Sequence, residues 1–253
     1  MSYLIAITGK GGVGKTTLAG LLVSRLIARN CQPVLAVDAD PNSCLDGALG
    51  VTVEKSIGRL REEAREESRK GLGAGISKQE MIELKISESL VEAKDFDLIA
   101  MGRPEGPGCY CYANNVLKEA LGKIAASYPY IVLDNEAGLE NLSRRIVQQV
   151  NLLVMVADAS RKGLETLVRL HALAQEMEIK YDKLAIVVNR LRRDDARAAL
   201  EALKAKVGAD FLVCIPDNEE LAFQAEAGKP LAGLEPQNPV VAKVDELLKD
   251  ALG

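Results

Sequence analysis

The sequence predicts an α/β fold: a doubly wound, mostly parallel sheet with helices on both faces. Two observations carry the prediction. Short apolar runs alternate with helical patterns along the chain, as strand–helix–strand units require. The turn between the first run and the first helical pattern is glycine-rich and regularly spaced, Gly9-Lys10-Gly11-Gly12-Val13-Gly14-Lys15-Thr16-Thr17. At 253 residues the chain suits one large domain with a sizeable core, and 1–253 reads as a single unit. Only 4% of residues are aromatic and none is Trp, so Leu, Ile, Val and Ala must fill that core.

The first strand is expected at 3–7 and the first helix at 16–29. The loop between them matches GxxxxGK[ST], and its setting between strand and helix makes it a phosphate-binding P-loop. Glycines let the backbone approach phosphates with no Cβ in the way. The N–H groups of the loop and of the helix N-terminus then present positive charge to an anion. Gly9, Gly11, Gly12, Val13, Gly14, Lys15, Thr16 and Thr17 are therefore the expected nucleotide contacts. Lys15 is expected on the β- and γ-phosphates, and Thr16 on Mg²⁺.

A second strand at 33–37 runs into Asp38-Ala39-Asp40-Pro41-Asn42, which puts acidic residues at the carboxyl end of a strand, beside the phosphates. The stretch 57–70 is charged and of mixed sign, and reads as an exposed helix. A glycine-rich break, 71–75, precedes a rough helical stripe at 78–93. Together 51–95 read as an inserted helical arm, either a docking surface or a solvated hairpin. Strands follow at 96–101 and 130–133, with a helix at 113–127 between them. The second of these ends in Asp134-Asn135-Glu136-Ala137-Gly138, where Asp134 is expected to hold a water of Mg²⁺. Further strands are expected at 152–157, 184–188 and 211–214, with helices at 162–177 and 239–252. His171 falls within the helical pattern and reads as structural.

Lys10 makes the loop more specific than a plain P-loop. KGGVGKTT resembles the deviant Walker A motif of the MinD/ParA/nitrogenase iron protein class. The resemblance implies ATP/ADP with Mg²⁺ and a nucleotide-dependent homodimer, in which Lys10 reaches the partner's nucleotide. It also implies that Asp40 polarises the attacking water, which makes Lys10, Lys15 and Asp40 the catalytic set. Asp38 would join Thr16 and Asp134 in supporting Mg²⁺. Asn189 would contact adenine, with Pro216 and Asp217 packed against the base.

Cys109-Tyr110-Cys111 is the second chemical signal. In extended backbone the two sulfurs share a face. Two thiolates can hold a soft metal ion but do not complete a tetrahedral Cys₄ site. A two-fold dimer would supply the missing pair. The alternative is a pair of unligated loop cysteines. The run DFDLIAMGRPEGPGCYCYANN, with LKISESLVEAK before it, resembles the CooC-type nickel-insertion ATPases along essentially the whole chain. That likeness implies nickel, or zinc in its place, at a Cys₄ site shared between two chains. It implies carbon monoxide dehydrogenase or acetyl-CoA synthase as client, without separating the two.

Three rival readings belong to related classes. An iron–sulfur electron-transfer ATPase like nitrogenase iron protein needs a second cysteine after Asp134, and 136–145 contains none. A MinD/ParA-like positioning ATPase needs a membrane-binding C-terminal helix or a basic DNA surface. Here Asp245, Glu246 and Asp250 lie on that helix, and the net charge is −4, so neither nucleic acid nor membrane is an expected partner. An iron–sulfur scaffold ATPase carries CxxC near its C-terminus, where this chain has only Cys214. Five cysteines, no apolar run long enough to span a bilayer and no leader pattern predict a cytoplasmic protein. Cys31, Cys44 and Cys214 read as small buried hydrophobes.

Overall fold

The computed structural model describes residues 2–60, 63, 84, 87–102, 118–119, 121–139, 149–192 and 197–253. The strands are β1 (Tyr3–Gly9), β2 (Val34–Asp38), β3 (Leu90–Glu92), β4 (Phe96–Ala100), β5 (Tyr130–Asp134), β6 (Val150–Asp158), β7 (Tyr181–Leu191) and β8 (Phe211–Pro216). The helices are α1 (Lys15–Ala28), α2 (Leu45–Leu49), α3 (Arg161–Glu176), α4 (Arg197–Val207), α5 (Glu219–Glu226) and α6 (Pro239–Leu252). Among the described residues the strands form one sheet, in the order β3-β4-β2-β5-β1-β6-β7-β8. Only β3 runs antiparallel to its neighbour. This is the predicted fold class.

Alternation along the central strands builds two cores, one on each face. Leu4 and Ala6 of β1, with Leu35 and Val37 of β2, pack with Leu167 and Ala174 of α3 and Leu200 and Leu203 of α4. Ile5 and Ile7, with Val34 and Ala36, pack with Leu18, Leu22 and Leu26 of α1 and Val240, Val244 and Leu248 of α6. Each large aliphatic side chain so buried contributes about 1.5–3 kcal/mol. Helix α1 is also tied to α6, through Arg25 and Arg29 on Asp245 at 2.9 and 3.3 Å. Ser160 starts α3 by accepting the Gly163 N–H, and Asn238 starts α6 by accepting that of Val240. β1 therefore lies mid-sheet, with β5 and β6 on its two sides. The loops after β1, β2 and β5 emerge together at the carboxyl edge.

Three expectations need correction. The helical stripe at 78–93 ends as a strand, with Leu90 opposite Ile99 and Val91 opposite Leu98. The Ala93 N–H donates to Phe96 O and closes a hairpin that fixes this edge pairing. The helix expected over 57–70 is not wholly exposed, because Ile57 and Leu60 are buried. The remainder of both stretches lies mostly outside the described residues. Cys44 is exposed, and Cys31 and Cys214 are only partly buried. Cys44 sits in the loop before α2, where its backbone N–H is engaged and its side chain faces solvent. His171 is buried against Tyr181 as a structural residue, and burial lowers its pKa. Helices α2, α4 and α5 had no counterpart in the sequence reading.

Candidate nucleotide site

The loop from β1 to α1 has the geometry its glycines predict. Gly14 adopts φ 94°, and a Cβ there would run into the amide of Asn189. No described side chain caps α1, so its first-turn N–H groups face the loop. Lys15 is buried, and its Nζ donates to Lys10 O at 3.3 Å. Burial pulls its pKa down, while Asp134, Asp40 and Glu136 pull it up. Thr16 and Thr17 are half-buried, and Lys10 is exposed at the rim.

Asp38 and Asp134 stand side by side in the β2–β5 register, and each is 1% exposed. The Asp38 carboxylate accepts the N–H groups of Asp40, Cys44 and Leu45 at 2.9–3.1 Å. It thereby folds 38–45 into a compact loop. Burial still lifts its pKa to about 6. Both oxygens of Asp134 are buried with no hydrogen-bond partner among the described residues. Burial, first, raises its pKa to about 7. The Thr16 hydroxyl and the Lys15 ammonium offset part of that rise, though neither closes a hydrogen bond on it. A buried, unpartnered carboxylate beside a threonine hydroxyl fits a hydrated divalent cation.

Asp40 is half-exposed, and its Oδ1 accepts from the Asn42 backbone and side chain at 2.8 and 3.0 Å. After Asp134 the chain is stitched back onto β1. Asn135 donates both its N–H and its side-chain amide to Ile7 O, and Gly138 donates its N–H to Gly9 O at 3.2 Å. The Thr8 hydroxyl donates to Gly138 O. Neither Thr8 nor Asn135 stood out in the sequence, although each adjoins a motif residue.

The outer edge is placed by β7 and β8. Asn189 Nδ2 donates to Val13 O at 2.8 Å, so this side chain braces the loop from behind. Pro216 ends β8 opposite Leu191, and Asp217 pairs with Arg192 at 2.7 Å. The predicted residues of the loop, Asp38, Asp40, Asp134 and Asn189 thus share one edge, with Pro216 and Asp217 farther along it. Cys109 and Cys111 lie outside the described residues. No group of three or more His, Cys, Asp or Glu able to hold a metal ion occurs among the described ones.

Residues 4–231 match the model of the CobQ/CobB/MinD/ParA nucleotide binding domain. The chain belongs to this family. An uncharacterized ATP-binding protein of Methanocaldococcus jannaschii is 41% identical over 245 residues, 96% of each chain. The carbon monoxide dehydrogenase accessory protein CooC of Rhodospirillum rubrum is 32% identical over 188 residues, 70% of each. The septum site-determining protein MinD of Pyrococcus horikoshii, solved with Mg-ADP, superposes with a TM-score of 0.68 at 19% identity. That match covers 99% of this chain and 95% of the other. The family has a nucleotide-binding domain, and the loop after β1 is where this member carries its phosphate-binding signature. No described helix is long and apolar enough to cross a membrane.

Proposed function

We propose that the protein is a Mg-ATP-hydrolysing nickel chaperone, which works as a nucleotide-gated homodimer in the cytoplasm. It would assist nickel insertion into carbon monoxide dehydrogenase or acetyl-CoA synthase. The observation that carries this reading is Cys109-Tyr110-Cys111, placed after β4 in a family member that is 32% identical to a CooC protein. The lack of a cysteine at 136–145, just after Asp134, argues against an iron–sulfur role.

In this reading the first-turn amides of α1 and Lys15 hold the phosphates, and Thr16 and Asp134 hold Mg²⁺. When bound, that ion neutralises phosphate charge. Asp40 orients water, and Asp38 supports Mg²⁺ and its waters while shaping the loop around Asp40. Asn189, Pro216 and Asp217 close the base end. Lys10, exposed at the rim, reaches across to the partner's ATP. Nickel is cargo, held by one Cys109/Cys111 pair from each chain. Zinc would occupy the same four thiolates.

The test is anaerobic nickel titration of the reduced protein, with and without a non-hydrolysable ATP analogue, read with dimer mass. The expected result is one nickel per dimer. Binding should be lost in Cys109→Ser and Cys111→Ser and kept in Cys31→Ser, Cys44→Ser and Cys214→Ser. A complete nickel site on a monomer would overturn the shared arrangement. A MinD/ParA-like positioning ATPase is the second reading, favoured by the family match itself. It predicts nucleotide-dependent binding to anionic vesicles or DNA with no metal uptake.

A further inference from the structure

The loop 38–45 touches more than the nucleotide edge. Ser43 has φ 41°, a left-handed conformation that residues other than glycine rarely adopt. Its hydroxyl works in both directions. It donates to Asp40 O at 3.3 Å and accepts the N–H of Gly102 at 3.1 Å. Gly102 lies just past the end of β4 and is the last described residue before the stretch that contains Cys109 and Cys111. Its own φ is 62°, and a Cβ there would collide with Ser56. Beside it, the Met101 N–H donates to Asp38 O at 2.8 Å, and Met101 O accepts the Gly58 N–H at 2.8 Å. The exit of β4 is thus fastened to the loop that carries Asp38 and Asp40, and among the described residues Ser43 is the side chain that joins them.

We infer that Ser43 is a positioning residue that couples the nucleotide loop to the exit of β4, and through it to the Cys109/Cys111 segment. The last link rests on the chaperone reading; the Ser43–Gly102 bond does not. Any nucleotide-driven shift of Asp40 moves the carbonyl to which Ser43 donates. The hydroxyl must then follow Asp40 or stay with Gly102. Coupling of this kind requires an element with two arrangements that both sites bias. The 38–45 loop is the element the two sites share: its Asp38 clasp and its Ser43 contact lie at different points along it, and the second arrangement is what the nucleotide would supply.

The experiment uses the full chain and two substitutions. Ser43→Ala removes the hydroxyl, and Ser43→Gly removes it while also suiting the left-handed backbone, so a folding defect in the first does not obscure the answer. The readout is hydrogen exchange at the Gly102 amide, with and without a Mg²⁺-loaded non-hydrolysable ATP analogue. In the nucleotide-free state both variants should exchange about fivefold faster there, as loss of one net hydrogen bond predicts. The analogue should change the wild-type rate and leave Ser43→Gly unchanged. The same analogue-induced change in wild type and Ser43→Gly would overturn the inference. Nickel affinity separates this claim from the one beneath it. If the exchange response depends on Ser43 but the wild type binds no nickel, the coupling stands and the chaperone reading falls. If nickel binds and responds to the analogue equally in both proteins, the chaperone reading stands and the coupling falls.

Discussion

Asp38 and Asp134 end neighbouring strands in matched register and are equally buried, yet their surroundings differ. Asp38 spends its oxygens on three backbone N–H groups of its own loop. Asp134 has two oxygens with no hydrogen-bond partner among the described residues. Burial therefore does not by itself mark a catalytic acid. What separates the two is whether local backbone already satisfies the charge. A satisfied carboxylate shapes a loop, and an unsatisfied one is poised for something brought from outside, such as a hydrated cation with its nucleotide.

The largest effect that could break this contrast is on hydrolysis. Asp134→Asn should lower Mg²⁺-dependent phosphate release about 10²–10³-fold, the loss typical of removing one preorganised electrostatic contact. Asp38→Asn should cost less: its one amide oxygen can keep the Cys44 and Leu45 N–H bonds, and the bond lost, that of Asp40, shapes the loop and holds no cation. If Asp38→Asn proves the more damaging, the roles assigned to the two strand ends are reversed.

The next effect is on stability and its pH dependence. Both carboxyls have pKa values raised in the folded protein, to about 6 for Asp38 and about 7 for Asp134, against an ordinary value of 3.8. A raised acid binds its proton more tightly in the folded state. Its contribution is then fully present below pH 3.8 and is lost as pH rises through the folded pKa. Between pH 4 and 8 the nucleotide-free protein should lose stability through these groups, by at most about 1.4 kcal/mol for each pKa unit of the rise. Urea midpoints at pH 5 and pH 8 measure the loss. Asp134→Asn should flatten the profile from about pH 4 up to about pH 7, and Asp38→Asn only up to about pH 6. A wild type whose midpoint rises across this window, with neither variant altering the slope, would refute the assignment of buried, high-pKa carboxyls.

How much of this could be read in the sequence depends on range. Glycine spacing, Lys15 and Thr16 declare a phosphate loop because their chemistry is local and their order fixed. Asp38 and Asp134 could be found as acids at strand ends, but the difference between them could not. It depends on the folding of 40–45, and backbone contacts from Asp40, Cys44 and Leu45 leave no pattern of their own. Leu90 and Val91 looked helical because three edge residues carry too little alternation to outweigh a longer stripe. Their strand exists because β4 offers an edge to pair with. α5 was legible in principle: Asn218 caps it, and two glutamates occupy its first turn. The Ser43–Gly102 bond spans 59 positions, and neither residue type suggests the other.

The smallest expected effect sharpens the same distinction at Asn189. The resemblance gives this residue to adenine, yet its Nδ2 already donates to Val13 O and its Oδ1 accepts the Arg190 N–H. An amide keeps one further N–H and a spare lone pair after those bonds, so bracing and base contact are compatible. They differ in what they predict for other bases. Bracing acts through the loop and is indifferent to the base, whereas adenine contact is not. Asn189→Ala leaves the buried Val13 carbonyl unpaired, which costs about 1 kcal/mol and weakens binding of any nucleotide roughly fivefold. Affinities for ATP and GTP should therefore both fall by about that factor, with a further loss confined to ATP from the base contact. Calorimetric titration of wild type and Asn189→Ala with each nucleotide separates the two parts. Unchanged GTP affinity would eliminate the bracing role. Equal losses for ATP and GTP would remove Asn189 from the adenine site and leave it, like Asp38, a residue that shapes a loop.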